Sequence, residues 1–349
     1  MSRIPRQGDF TNTWDFMCIK ERKRTDREYA SYIDYKTIGL LFCLMTVMAG
    51  LQSLGVFKKA GERLLGYVKG PGAVSAVLVL QTIAANLGSM LTPIGNPQNL
   101  YLYSKAGLNA GRFMELMAPY TAVSFGMLVL CLAVVAAGNR MPGKERNGRG
   151  QGPMVSGFPG FSQEAAGMEA SGKRIYLGRL GLYLFLFLLS LGCVARILPW
   201  QLLLAVVITG VWIADRSLFL AVDYSLLLTF CAFFVFIGNM GRVPAFCRFL
   251  GRILEGREII TCVGASQIIS NVPAALLLSG FSGDYSALIV GTNLGGLGTL
   301  IASMASLISY KHIARMYPME KGRYLGWFTV VNLLFLAVLL VLSLWVIPF

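Results

Sequence analysis

The sequence predicts an all-α polytopic membrane protein built from two related halves, and three observations carry that prediction. Of its 349 residues, 55% are hydrophobic and 14% are charged, whereas a water-soluble domain carries about 25% charged residues. Several apolar runs reach the roughly 20 residues that cross a hydrocarbon core. Two stretches inside such runs are copies of each other: Asn86-Leu87-Gly88 opens NLGSMLTPIGNPQNLYLYSK, and Asn293-Leu294-Gly295 opens NLGGLGTLIASMASLISYK. At a constant offset of 207, Thr92 meets Thr299, Ile94 meets Ile301, Leu100 meets Leu307 and Tyr103 meets Tyr310. Paired, interrupted apolar segments in two halves of a membrane protein mark the binding site of a transporter. A β-barrel would need short alternating segments, which the sequence does not offer.

The elements follow in order. Residues 1–35 are polar and basic, and no apolar stretch of the signal-peptide kind follows the basic residues. Ile38 to Leu54 reads as helix. Lys58 to Lys69 (KKAGERLLGYVK) reads as a short amphipathic stretch along the membrane surface. Ala73 to Tyr103 holds the first interrupted segment, and Leu116 to Ala137 an unbroken spanning helix. Arg140 to Arg174 is rich in Gly, with Pro142, Pro153 and Pro159, and reads as a flexible linker. Its basic ends favour the cytoplasmic side. The second half offers Ile175–Leu198, Trp200–Ala214 and Tyr224–Ile237, then a basic amphipathic stretch from Arg242 to Arg257. Ile259–Leu278, the second interrupted segment to Tyr310, and Tyr324–Ile347 complete it. The divisions are a polar segment 1–35, a first repeat 36–138, the linker 139–174 and a second repeat 175–349.

The halves align beyond the Asn motifs. Asp34-Tyr35 matches Asp223-Tyr224 at an offset of 189, while Phe42-Cys43 matches Phe230-Cys231 and Gly50 matches Gly238 at 188. Between Gly50 and Asn86 the offset grows to 207, so the first half is 19 residues shorter there. In the second half that interval contains SQIISNVPAALLLSGFSGDYS, to which nothing in residues 57–85 corresponds.

Net charge is +14, but the basic residues lie between apolar runs. That pattern fits loops near lipid headgroups and argues against nucleic acid. The seven cysteines show no CxxC and no metal-ligand spacing. Asp34, Glu115, Asp215, Asp223 and Asp284 sit at the edges of apolar runs, so no proton relay on buried carboxylates is expected. The single histidine, His312, reads as interfacial beside Lys311. No Ser-His-Asp set, zinc spacing or phosphate loop points to an enzyme, a resident metal or a cofactor.

The candidate site lies where apolar runs are broken. Ser270-Asn271-Val272-Pro273 interrupts one, because Pro lacks a backbone donor and Asn competes with the helix. Such a break is tolerated in hydrocarbon only when protein or a water-filled cavity surrounds it. A re-entrant hairpin with Asn271 at its tip meets that condition; a Pro-kinked spanning helix is the alternative. Thr292-Asn293-Leu294-Gly295-Gly296 breaks a second helix and should free backbone carbonyls, with N–H groups on the half-helix beyond. Carbonyls, Asn side chains and hydroxyls such as Thr299 suit a small hard cation, and a helix N-terminus suits an anion. Asn86, Gly88, Ser89 and Thr92 are the first-half equivalents. Asn96 and Asn99 add a polar cluster, which reads alternatively as a helix cap and turn.

At ANLGSMLTPIGNPQNLYLY, SQIISNVPAALLLS and GTNLGGLGTLIASMASLISYK the chain resembles the ion transporter superfamily. That group takes in arsenite permeases, citrate and dicarboxylate transporters (divalent anion:sodium symporters) and sodium/proton antiporters of related fold. The resemblance covers residues 31–349. It implies two inverted repeats, each with a re-entrant hairpin and a broken helix, with sodium and substrate held between hairpin tips and breaks. It also implies a homodimer, as in the dicarboxylate branch. On that resemblance Asn271 takes the second hairpin tip, Asn293 and its glycines the second break, and Asn86 to Asn99 the first break. The first hairpin and the leading helices have no counterpart here. The family pattern also places Lys58–Lys69 in the cytoplasm, which sets basic residues 1–35 outside, against the positive-inside tendency. The expectation is a truncated or internally deleted permease of the plasma membrane, moving a small inorganic or carboxylate anion with or without sodium. It is inactive if the lost hairpin is indispensable. The alternatives are a non-transporting or defective membrane subunit and a permease of the arsenite or sodium/proton antiporter type.

Overall fold

The structure, a computed structural model, describes residues 29–55, 71–138, 170–316 and 318–346. The Lys58–Lys69 stretch and residues 139–169 of the expected linker lie outside the described residues. The described residues form helices and no strand. In chain order these are α1 (Tyr29–Tyr32), α2 (Tyr35–Ser53), α3 (Pro71–Gly88), α4 (Pro97–Ala106), α5 (Ala110–Gly138), α6 (Ala170–Val194) and α7 (Trp200–Ala214). Then follow α8 (Tyr224–Met240), α9 (Pro244–Leu254), α10 (Glu258–Ile269), α11 (Asn271–Leu278), α12 (Tyr285–Leu294), α13 (Met304–Met316) and α14 (Lys321–Val346). Short 3-10 turns occupy Ser89–Leu91, Arg216–Ala221 and Pro318–Glu320.

Helix starts follow local capping chemistry. Asp34 accepts from the Thr37 amide at 3.1 Å, Asp223 from Leu226 at 3.0 Å and Asp284 from Ala287 at 2.9 Å. Each carboxylate satisfies an amide that the first helical turn leaves without a partner. The aligned Asp34-Tyr35 and Asp223-Tyr224 pairs are therefore the same device in the two halves. Asn109 does likewise for Arg112 at 2.7 Å. That cap starts α5 at Ala110, six residues ahead of the expected Leu116. At the far end of α6, Arg196 adopts φ +65°. Ile197 N then bonds back to Gly192 O at 2.9 Å, closing the helix before Leu198.

Among the described residues, four helices are long and apolar enough to cross a membrane: α2, most of α5, Tyr176–Val194 of α6, and α14. A fifth span arises if α8 and α9, bent by 106° at their junction, count as one. The chain divides into two compact units. One takes residues 42–80 and 128–222; the other takes 1–41, 81–127 and 223–349, so each draws on both sides of residues 139–169.

In the first of these units the Tyr183 ring rests on Gly50, where an added Cβ would lie 2.9 Å from the ring. Phe42 stacks on Phe219 with centroids 6.2 Å apart. Arg179 pairs with Asp215 at 3.4 Å and donates to Ala214 O at 3.1 Å. Outside the helices, the Ser217 hydroxyl and amide, with Arg179 beyond them, hold the Asp215 carboxyl below its ordinary value.

The other unit is built around α12, whose residues from Ala287 to Leu294 are all buried. α12 packs on α10, α11, α4 and α14. In lipid such packing rests on close fit more than on hydrophobic drive. α11 runs beside α10: Glu258, which opens α10, accepts from the Ser282 hydroxyl just past the end of α11. Phe246 and Phe281 meet edge to face at 5.4 Å.

Candidate functional site

Three backbone breaks meet inside this second unit: residues 89–96 between α3 and α4, Ser270 between α10 and α11, and residues 295–303 between α12 and α13. Helix α4 ties two of them together. Asn99, fully buried, accepts from Asn293 Nδ2 at 2.6 Å through Oδ1. Its own Nδ2 donates at longer range to Thr92 O (3.4 Å) and Met90 O (3.5 Å), closing the first break on itself. Two residues on, the Tyr101 hydroxyl and Ser279 Oγ share a 2.8 Å hydrogen bond, and Lys105 donates to Tyr101 Oη at 3.0 Å. Helix α4 is thus fastened to α12 by Asn99 and to the end of α11 by Tyr101.

Asn86, half-buried on α3, makes the corresponding contact to the other half. Its Oδ1 accepts from Ser303 Oγ at 2.7 Å, and its Nδ2 donates to Ser306 Oγ at 3.3 Å. In the 207-residue register Asn86 is the copy of Asn293, and Ser306 the copy of Asn99. The Asn86–Ser306 and Asn293–Asn99 contacts are therefore one contact with the halves exchanged. Helices α4 and α13 also begin 207 residues apart, at Pro97 and Met304.

The second and third breaks are stitched by Gln267, a residue the sequence reading passed over. Its Nε2 donates to Gly295 O at 3.0 Å and Leu297 O at 2.9 Å, while Oε1 accepts from the Thr299 amide at 2.8 Å. Thr299 Oγ1 returns to Gln267 O at 3.3 Å. Ser270 sits at φ 72°, ψ 155°, a conformation that L side chains rarely adopt. It is held there because the Asn271 amide bonds Ala302 O at 3.0 Å and Ser270 Oγ bonds the same carbonyl at 3.3 Å. Within the Thr292–Gly296 stretch expected to free carbonyls, Gly295 O therefore carries a protein donor, as do Leu297 O and Ala302 O beyond it.

The remaining expected residues separate by environment. Gly295 and Gly296 are buried, and each leaves room for a polar neighbour. A Cβ on Gly295 would run into Ser266 Oγ, and one on Gly296 would lie 3.0 Å from Asn271 Nδ2. Thr292 is buried, but its hydroxyl turns back to Leu288 O of its own helix at 2.7 Å. Pro273 is half-buried in the first turn of α11, where its missing donor costs little. Ser89 donates to Asn86 O at 2.9 Å, Asn96 stands at the start of α4 without capping it through its side chain, and Gly88 and Thr299 are exposed. Ser303 and Ser306 join the site without having been expected, and Gln98 belongs to the polar cluster of Asn96 and Asn99.

Two buried amide atoms in this region have no hydrogen-bond partner: Asn293 Oδ1 and Gln98 Nε2. Both side chains are at least 95% buried. A polar atom left unpaired there costs about 1–3 kcal/mol. Among the described residues no cluster of His, Cys, Asp or Glu could hold a metal ion. The donors here are amides and hydroxyls. Asn293→Ala removes the donor to Asn99 Oδ1 and is expected to destabilise the protein by about 1–3 kcal/mol. A melting curve read with a thiol-reactive dye checks this, because Cys43, Cys193, Cys247 and Cys262 are buried until unfolding. An unshifted curve would remove the Asn99–Asn293 contact from the account of the site.

The citrate transporter family matches residues 72–281, a stretch that includes the first break and the Ser270 break. The chain is 31% identical to the inner membrane protein YbiR of Escherichia coli over 245 residues, which is 68% of this chain and 58% of that protein. It is 30% identical over 235 residues to an uncharacterized transporter of Methanocaldococcus jannaschii, covering 67% of this chain and 57% of the relative. The chain thus spans less than two thirds of the length of either relative.

Proposed function

We infer that this chain, which belongs to the citrate transporter family, is a secondary transporter whose solute is held at the paired helix breaks. Family and apolar helices together make it an integral, multi-pass membrane protein. One observation carries the solute site: the reciprocal Asn293–Asn99 and Asn86–Ser306 contacts, which draw both breaks into one buried polar cluster. On this reading α10 and α11 form a re-entrant hairpin with Asn271 at its tip, and the reciprocal contacts descend from inverted repeats. The solute is an anion, a carboxylate such as citrate before an inorganic anion such as arsenite. It would be met by amide and hydroxyl donors and by the α4 N-terminus, whose first amides lack a side-chain cap. Sodium travels with it as co-substrate, and Asn293 Oδ1 supplies a buried oxygen without a donor. The plasma membrane and a homodimer complete the proposal.

Purified protein in proteoliposomes tests it. Labelled citrate, succinate, sulfate and arsenite are offered under inward sodium or proton gradients. Accumulation of a carboxylate above protein-free vesicles, increased by sodium and lost in Asn293→Ala, is the expected result. No accumulation of any anion under either gradient would sink the proposal. One observation favours a second reading, a defective or non-transporting subunit. In the first half α3 runs unbroken from Pro71 to Gly88, while the second half places α10 and α11 ahead of α12. Inserting the 258–283 segment between Gly70 and Ala73 should then create uptake where the parent shows none.

A further inference from the structure

We propose that α9 and the start of α10 form a binding site for the headgroup of an anionic phospholipid. The sequence PAFCRFLGRIL divides its faces cleanly. Cys247, Leu250 and Leu254 are buried against the protein. The opposite face presents Arg248 and Arg252, one turn apart, beside Phe249 and Ile253. Arg257 in the following turn and Ile260 of α10 complete a groove of about 600 Å³. This groove shares no residue with the helix breaks. Phe249 is 60% exposed, Ile253 38% and Ile260 58%, so three guanidinium groups and three large apolar side chains share one open surface.

Charge and orientation select the occupant. None of the three arginines has a carboxylate partner among the described residues. The nearby acids do not line the groove: Glu255 is exposed at the end of α9, and Glu258 is engaged with Ser282. Three unpaired like charges in one groove repel each other until an anion enters. Guanidinium forks match a phosphate through paired N–H donors. α9 leaves α8 at 106°. Where α8 enters the membrane as an apolar helix, one bent that sharply from it lies near the membrane plane, with its exposed face at the boundary between headgroups and acyl chains. There the arginines meet phosphate, and Phe249, Ile253 and Ile260 meet the first methylenes of the chain. A soluble anion would use the charges and leave the apolar half bare. The site requires only a membrane, so it stands or falls separately from what the protein transports.

The full chain in detergent tests this with short-chain phosphatidylglycerol, phosphatidylcholine of the same chains, and glycerol phosphate, each titrated while melting is followed by the thiol dye. Phosphatidylglycerol should stabilise at lower concentration than phosphatidylcholine, and glycerol phosphate should not stabilise in that range. Each arginine near a membrane surface contributes roughly five-fold in affinity for anionic lipid. Arg248→Gln/Arg252→Gln/Arg257→Gln should therefore lose the preference by on the order of a hundredfold, with an unchanged response to phosphatidylcholine. Should the triple variant not fold, Arg252→Gln alone should lose about five-fold. Equal effects of the two lipids on the parent chain would overturn the proposal, as would an undiminished preference in either variant. Glycerol phosphate acting as well as phosphatidylglycerol would also overturn it, making the groove a soluble-anion site.

Discussion

Gln267→Ala is expected to lower stability by roughly 2–4 kcal/mol. The side chain donates to Gly295 O and Leu297 O and accepts from the Thr299 amide, so one truncation leaves three backbone groups without partners. Gly295 and Leu297 are buried, and a buried carbonyl without a donor costs about 1–3 kcal/mol. Thr299 is exposed, so its amide regains a partner and adds little. The sum is held to the lower part of its range because a chain unfolded within a bilayer also finds partners for such groups. Gln267→Glu sharpens the test. It keeps the acceptor for Thr299 but sets a carboxylate oxygen against two carbonyl oxygens. It should melt below Gln267→Ala at neutral pH, although it is the more conservative change in size. Melting of both variants at or above the parent temperature would mean that Gln267 does not hold the break.

Gly298→Ala is expected to cost about 2–4 kcal/mol through a different route. Gly298 lies at φ +104°, where a side chain strains the backbone by about 1–3 kcal/mol. The added Cβ would also run into Gln267 Oε1 and lie 3.1 Å from its Cδ. The Gln267 amide would have to leave the position from which it bonds Thr299 and the two carbonyls. The two substitutions should therefore be non-additive: in the Gln267→Ala background the cost of Gly298→Ala should fall to the backbone part alone. Thiol-dye melting of the two single variants and the double variant measures this coupling. Strict additivity would show that the glycine and the glutamine act independently.

These two residues also mark where the sequence stops being legible. Helix ends governed by short-range chemistry could be read directly. Asp34-Tyr35 and Asp223-Tyr224 aligned because each aspartate caps the helix that follows it. The 207-residue register anticipated that α4 and α13 begin at equivalent positions. The broken run at Ser270-Asn271 was visible because Pro and Asn disfavour an unbroken helix there. The partners of the break were not visible, since they come from far along the chain. Gln267 meets carbonyls 28 and 30 residues away. Asn86 meets Ser303 across 217 positions. The available signals were a glutamine inside an apolar run and two serines in register with Asn96 and Asn99. Neither says which backbone group would be met. Gly295 O, in the stretch expected to free its carbonyls, shows why: a break in a packed interior frees a carbonyl only until a neighbouring side chain fills it. Thr292 shows the converse, a polar residue in the motif whose hydroxyl is absorbed by its own helix.

The paired breaks are the centre of the functional reading, and an experimental density map of the protein with citrate and sodium tests them most directly. The expected result is solute density enclosed by residues 86–99, 270–273 and 293–306, within hydrogen-bonding distance of Asn99, Asn293 or Gln98. Unbroken helices through Ser270 and through residues 295–303, or solute density confined to another part of the molecule, would contradict it.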